Sequence, residues 1–233
     1  MNTAEVLSYG DMQTEEKPIR RRAPHWIYQP ASWVERLPLS QMFLQARPLE
    51  VELGSGDGSF LAQWAQAWPD RNFLGVERLL GRLRKLDRKA QRAGLTNVRL
   101  LRIEAGYFLE FLLTPGSVQA LHVYFPDPWS KRKQRKHRLV NARFPELAAR
   151  ILAPRGVVYL RTDDADYFSQ MQEVFAARPQ FEACRTPDQL ASVQTDFERD
   201  FRARGIETRR AAYRLGGSAG SDIDGRAVAT GPV

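Results

Sequence analysis

Residues 48–215 alternate short apolar runs with segments of helical periodicity, and that rhythm admits few folds. Strands separated by crossover helices build a parallel sheet with helices on both faces. The apolar runs fall at Leu49–Leu53, Asn72–Val76, 98–103, 118–125, 157–161 and 181–184, and residues 207–215 alternate like a last strand. Between them the spacing predicts helices over Ser59–Ala67, 80–93, 108–113, 139–152, 165–177 and 195–204. Pro145 requires a break or a restart inside the 139–152 segment.

The first strand runs into Gly54-Ser55-Gly56-Asp57-Gly58. A glycine-rich turn there lets backbone approach a ligand at the switch point of a doubly wound sheet. Three carboxylates stand at strand ends: Glu52 before the glycines, Glu77 after strand two and Glu104 after strand three. An acid after strand two can accept both ribose hydroxyls of a dinucleotide or of S-adenosylmethionine. Glu52 separates the two ligands, because a carboxylate beside the turn repels a pyrophosphate and attracts an ammonium or sulfonium. Glu104 can then accept from an adenine amino group. Each acid alone also reads as a solvated strand end; three in register on consecutive strands point to a site.

Chemistry and binding meet in residues 121–139, where a buried strand empties into a charged loop. Pro126 denies the ladder a donor and ends the strand, leaving Asp127 at its C-terminal edge between two prolines. Trp129 adds a flat surface for stacking, or a wall under the loop. Residues 131–138 then carry six basic side chains in eight positions, most of the formal net charge of +8. A polyanion is the natural partner, although such a run also reads as a solvated helix face or a nuclear import tag.

A chain of 233 residues, 43% hydrophobic, can bury one sizeable core. The expected division is an arm at 1–47, partly disordered and basic, one domain at 48–215, and a disordered Gly-, Ala- and Ser-rich tail at 216–233. Within the arm, Arg20, Arg21 and Arg22 precede His25, Trp26 and Tyr28, a mixture suited either to gripping RNA or to packing on the domain. One cysteine, Cys184, excludes an internal disulfide framework, and the scattered His25, His122 and His137 show no ligand spacing for a metal. Without an apolar leader or spanning run, a soluble cytoplasmic protein with no membrane partner is the expectation.

With these residues assembled, the chain resembles the bacterial tRNA (guanine-N7)-methyltransferases. The likeness is carried by Phe125-Pro126-Asp127-Pro128-Trp129-x-Lys131 and the basic run ending Arg138-Leu139. Glu52, Gly54, Gly56, Val76-Glu77 and Glu104-Ala105 match that family's cofactor motifs, and Thr162-Asp163 and Thr195-x-x-Glu198 resemble its substrate motifs, although Thr195-x-x-Glu198 reads equally as a helix capping box. The resemblance spans residues 48–215 and implies an α/β, doubly wound, mostly parallel seven-stranded sheet of the class I S-adenosylmethionine-dependent methyltransferase type, its last strand antiparallel. It implies S-adenosylmethionine held by Glu52, Gly54, Gly56, Glu77, Glu104 and Asp127. It also implies a tRNA substrate met by Lys131, Asp163, Thr195 and Glu198, with the variable loop as target. Glu104 departs from the family's usual aspartate, the arm matches poorly, and the tail has no recognised counterpart.

Guanine N7 carries a lone pair and no proton, so its methylation is an in-line displacement in which positioning dominates. Asp127 is the expected catalytic residue, orienting the base and offsetting the charge that develops on it. The rivals are a methyltransferase for another base or a small molecule, and a non-catalytic RNA-binding protein with the same fold. A nicotinamide-dependent oxidoreductase ranks last, because Glu52 opposes the pyrophosphate.

Overall fold

Leu49–Leu53 (β1) is buried at every position, as a central strand covered on both faces must be. It pairs in parallel with Asn72–Val76 (β2) on one side and with Val118–Tyr124 (β4) on the other. Val98–Leu101 (β3) extends the sheet beyond β2, and Leu152–Thr162 (β5) extends it beyond β4. Arg209–Leu215 (β7) runs antiparallel between β5 and Phe181–Ala183 (β6), which completes seven strands in the order β3-β2-β1-β4-β5-β7-β6. The computed structural model describes residues 26–216; the expectations for Arg20, Arg21, Arg22 and His25 and for the tail from 217 onward lie outside the described residues.

The short helix Leu39–Met42 (α1) precedes β1. Ser59–Ala67 (α2) and Leu80–Arg92 (α3) cover one face, packing Phe60, Leu61, Trp64, Leu83, Leu86 and Ala90 into a single apolar cluster. The other face is covered by Ala105–Tyr107 (α4) with the π-helical turn Phe108–Leu112, then by Phe144–Ile151 (α5) and Ala165–Ala176 (α6). Asp188–Ser192 (α7) and Asp196–Ala203 (α8) fill the crossover between β6 and β7. Residues 26–47 also join the body. Ile27 forms a parallel bridge with Leu100, and Leu37, Met42 and Phe43 are buried in the core.

Several boundaries differ from expectation for local reasons. The helix expected over 139–152 begins only at Phe144, with Pro145 in its first turn, where a missing N–H costs nothing. β5 starts at Leu152 rather than 157, and Arg155 at φ 63° together with a register shift opposite β4 marks the irregularity that separates its two parts. β4 ends at Tyr124 because Phe125 adopts φ 50°; its N–H still donates to the Arg161 carbonyl at 2.8 Å, so the turn begins before the proline. The basic run is not a long helix face but a six-residue 3₁₀ segment, Arg132–His137.

Candidate active site

Strand order reverses between β1 and β4, and an open sheet places its crevice at the C-terminal ends of strands at such a point. A cleft of about 600 Å3 opens there. Glu52, Gly54, Gly56, Glu77, Glu104, Asp127 and Thr195 all line it, together with Tyr124, Phe125, Trp129, His137 and Phe197. Lys131, Asp163 and Glu198 are not in its lining.

The glycine turn is held from both sides. Gly54 and Ser55 donate their N–H groups to the Val76 carbonyl at 2.8 and 3.0 Å, and Gly56 N–H donates to Glu77 Oε2 at 3.1 Å. Glu77 Oε1 accepts from Leu79 N at 2.7 Å, so this carboxylate fixes the turn while its edge faces the cleft. Gly54 has φ +75° and open space where a Cβ would project. Gly58, the N-cap of α2, is constrained by packing instead: at φ +79°, a Cβ there would stand 2.0 Å from Leu86 Cδ1.

Glu52 is 3% exposed, and its Oε2 has no hydrogen-bond partner. Burial raises its carboxyl to about 8; the Arg161 guanidinium opposes this, and the charges of Glu77 and Asp57 add to it. A buried carboxylate with an unpartnered oxygen is stabilised by a cation placed beside it. The donor set fits S-adenosylmethionine: an acid facing the glycine turn for the cationic end, an acid after β2 for ribose, and a backbone turn that admits close approach. Glu104 accepts from Gly106 N and Tyr107 N at 2.8 and 2.7 Å, so it caps α4 as well as lining the cleft.

Asp127 is exposed, and its Oδ1 accepts from Trp129 N at 3.1 Å. Phe125 at φ 50° and Trp129 at φ 44° flank it, both in the left-handed region that non-glycine residues avoid at a cost of about 1–3 kcal/mol each. The loop is held by neighbours. Phe125 packs on Phe201 at 5.6 Å between ring centroids, Trp129 packs on His137 at 5.3 Å, and Arg138 Nε donates to the Pro128 carbonyl at 2.7 Å. Arg138 is buried and paired with Asp166 at 2.6 Å, so it braces the loop; the exposed bases of the run are Lys131, Arg132, Lys133, Arg135 and Lys136. Of the six basic side chains in the run, five are exposed, Arg135 among them paired with Asp166 at 3.1 Å, and Arg138 faces inward.

Thr195 caps α8 by accepting from Glu198 N at 3.0 Å, and Glu198 Oε2 faces the Thr195 N–H at 3.4 Å, a complete capping box. Glu198 also pairs with Arg161 and Arg210, which leaves its carboxylate turned inward. Asp163 is half-buried at the end of β5, its carbonyl accepting from Arg209 Nη1 at 3.2 Å. Sequence reasoning missed Arg161 and Phe197. Phe197 is an aromatic inside the quoted Thr195–Glu198 motif, whereas nothing in its sequence neighbourhood marked Arg161 as a buried cation.

Beneath the cleft, Glu50 accepts from Trp64 Nε1 at 2.8 Å and from Arg71, and contacts His122 Nε2 at 2.9 Å, while His122 Nδ1 meets the Tyr124 hydroxyl at 2.8 Å. Burial opposes ionisation of Glu50, but the hydrogen bond and charge of His122 and the bonds from Arg71 and Trp64 bring its carboxyl down to about 2. One face of β1 therefore carries two acids pushed in opposite directions, the Glu50 carboxyl down and the Glu52 carboxyl up.

A methyltransferase family model, Methyltransf_4, matches residues 46–211. The chain is 36% identical over 221 residues to the tRNA (guanine-N(7)-)-methyltransferase of Nocardioides sp. (strain ATCC BAA-499 / JS614), covering 92% of this chain and 89% of that one. It is 41% identical over 170 residues to the protein of that name from Methylococcus capsulatus (strain ATCC 33009 / NCIMB 11132 / Bath), covering 72% of each. Among solved structures, the 16S rRNA methyltransferase KamB superposes with a TM-score of 0.56 at 15% identity, over 76% of this chain and 92% of that one, a likeness of fold. The glycine turn, its ring of acids and the Pro-Asp-Pro-Trp loop thus lie within a matched family region, and the chain belongs to the tRNA (guanine-N7)-methyltransferase family.

Proposed function

We propose that the chain binds S-adenosylmethionine in the cleft and transfers its methyl group to N7 of a guanine in the variable loop of tRNA. Glu52, Glu77, Glu104 and Asp127, four of the five carboxylates that line the crevice, carry this reading, above all the buried, unpartnered Oε2 of Glu52. S-adenosylmethionine supplies a methyl group on a sulfonium, a leaving group that needs no further activation. Glu52 offers charge to the cationic end, Glu77 offers acceptors to ribose hydroxyls, and Glu104 stands where an adenine amino group can donate. Asp127, across the cleft, orients the guanine edge and offsets the positive charge that grows on the ring as N7 gives up its lone pair. No proton leaves N7, so these residues act by placement and electrostatics.

N7 lies in the deep groove of an A-form helix, so the target guanine must be presented from a loop or drawn out of its stack. Phe125, Trp129 and Phe197 form an aromatic wall against which such a base can stack. The exposed bases of 131–136 hold phosphates outside the cleft. Thr195 meets the substrate at the rim and Asp163 lies beyond it, while Glu198 holds Thr195 in place from behind. Incubation with methyl-labelled S-adenosylmethionine and unfractionated tRNA, followed by nucleoside analysis and mapping, is expected to give 7-methylguanosine in the variable loop. Label in another nucleoside, or in none, overturns the proposal.

A further inference from the structure

A second hollow, of about 720 Å3, lies between the chain segment around residues 27–33 and α3. Arg84, Arg88 and Arg102 reach into it, with Tyr28 and Trp33 as aromatic walls. Arg84 and Arg88 are four residues apart and so share a face of α3, while Arg102 arrives from the end of β3. All three are exposed, and none has an ion-pair partner among the described residues. The acid in the lining, Asp87, is buried and accepts from Trp26 N and from Gln91 Nε2, each at 2.8 Å. Three like charges gathered in a concavity repel one another, and an anion placed among them relieves that repulsion.

The hollow adjoins the cofactor cleft across a narrow ridge. Arg78, Arg82, Ile103 and Glu104 face the cleft, whereas Leu80, Arg84 and Arg102 on the same two stretches face the hollow. Arg102 Nε donates to the Arg78 carbonyl at 3.3 Å, which holds the ridge together. We infer that this hollow is a second RNA site, taking the phosphates and one stacked base of nucleotides flanking the methylated guanosine. Guanidinium groups suit phosphate, and Trp33, 41% exposed, offers a face for stacking. The assignment rests on the proposed tRNA substrate, since continuity with the cleft is what favours RNA over an acidic protein segment.

The test is the salt dependence of tRNA binding by the full chain. Arg84→Ala and Arg88→Ala are each expected to reduce the slope of log K against log salt by about 0.7–0.9, and the double substitution by about twice that. S-adenosylmethionine binding and the melting temperature should stay at wild-type values. Trp33→Ala, which removes a stacking surface and no charge, is expected to weaken tRNA binding about tenfold with the slope unchanged. An unchanged slope in the double variant, while the wild type methylates tRNA, overturns the second site and leaves the proposed reaction standing. A wild type that methylates no tRNA overturns the reaction itself. Polyglutamate binding that the double substitution abolishes, with tRNA binding untouched, assigns the hollow to an acidic protein segment and equally overturns the RNA site.

Discussion

Arg161 donates through Nη1 to Glu198 Oε2 at 2.9 Å, and the two side chains are 1% and 0% exposed. The same guanidinium donates to the Val193 and Leu190 carbonyls at 2.7 and 2.6 Å, so β5 is stapled to the segment that presents Thr195 and Phe197 to the cleft. Removing one partner of a buried pair strands the other charge, at a cost of about 3–5 kcal/mol. Glu198→Ala should therefore lower the urea midpoint strongly. A capping box alone accepts glutamine at its third position, so Glu198→Gln separates the two roles. The Arg161 pairing predicts a smaller but clear loss of stability for Gln; a Glu198→Gln protein as stable as wild type would reduce Glu198 to a cap.

The two acids of β1 predict opposite pH behaviour, and Glu52 is the informative one. Its folded carboxyl titrates near 8 and its ordinary value is 4.5, so between those values the folded state holds the extra proton. Stability must then fall as pH rises through that window, by up to about 1.4 kcal/mol per pH unit from this group, and level off above it. Glu52→Gln removes the slope, and the variant should gain on wild type as pH increases. A cation beside Oε2 favours the ionised form, so S-adenosylmethionine binding near neutrality should release up to one proton. Calorimetry in buffers of different ionisation enthalpy measures that proton; equal release from wild type and Glu52→Gln would show that Glu52 does not meet the cationic end.

The basic run predicts two phenotypes rather than one. Arg132→Ala and Lys133→Ala remove exposed charges and should flatten the salt dependence of tRNA binding by about 0.7–0.9 per lost contact, with no change in melting. Arg138→Ala should instead destabilise the protein, because Arg138 lies over the Tyr167 ring and bonds Asp166, Gln170 and the Pro128 carbonyl. Identical effects from Arg132→Ala and Arg138→Ala would refute this division.

How much of this was legible follows from what each signal measures. Period and strand-end chemistry made the sheet, the glycine turn and the acids around the cleft readable, since a central strand must be buried on both faces and the turn that follows β1 opens onto the cleft. Local sequence did not show that Arg138 turns inward, because basic residues in a row look alike until Asp166, twenty-eight positions later, selects one of them. Glu198 was ambiguous for the same reason: its partners Arg161 and Arg210 lie on β5 and β7. The hollow beside α3 was invisible because its walls come from residues around 28, 84 and 102, which only the fold brings together.

Asp127 is the residue on which the proposed chemistry turns, and its loop separates a turn role from a catalytic one. Two left-handed non-glycine residues, Phe125 and Trp129, flank the acid, and the surrounding packing and the Arg138 bond to Pro128 stabilise that costly backbone. Its Oδ1 accepts from Trp129 N, a bond that the Oδ1 of asparagine reproduces. Asp127→Asn should thus keep the loop and the melting temperature while losing the negative charge that opposes the developing cation on guanine. Stabilisation of that kind is worth about a hundredfold in rate, so kcat should fall by roughly that factor with tRNA affinity little changed. Asp127→Ala loses the turn bond as well and should fall further, with a modest loss of stability from the unpaired Trp129 N–H. Wild-type turnover by Asp127→Asn, beside a slow and destabilised Asp127→Ala, would leave the side chain as the anchor of a strained turn and nothing more.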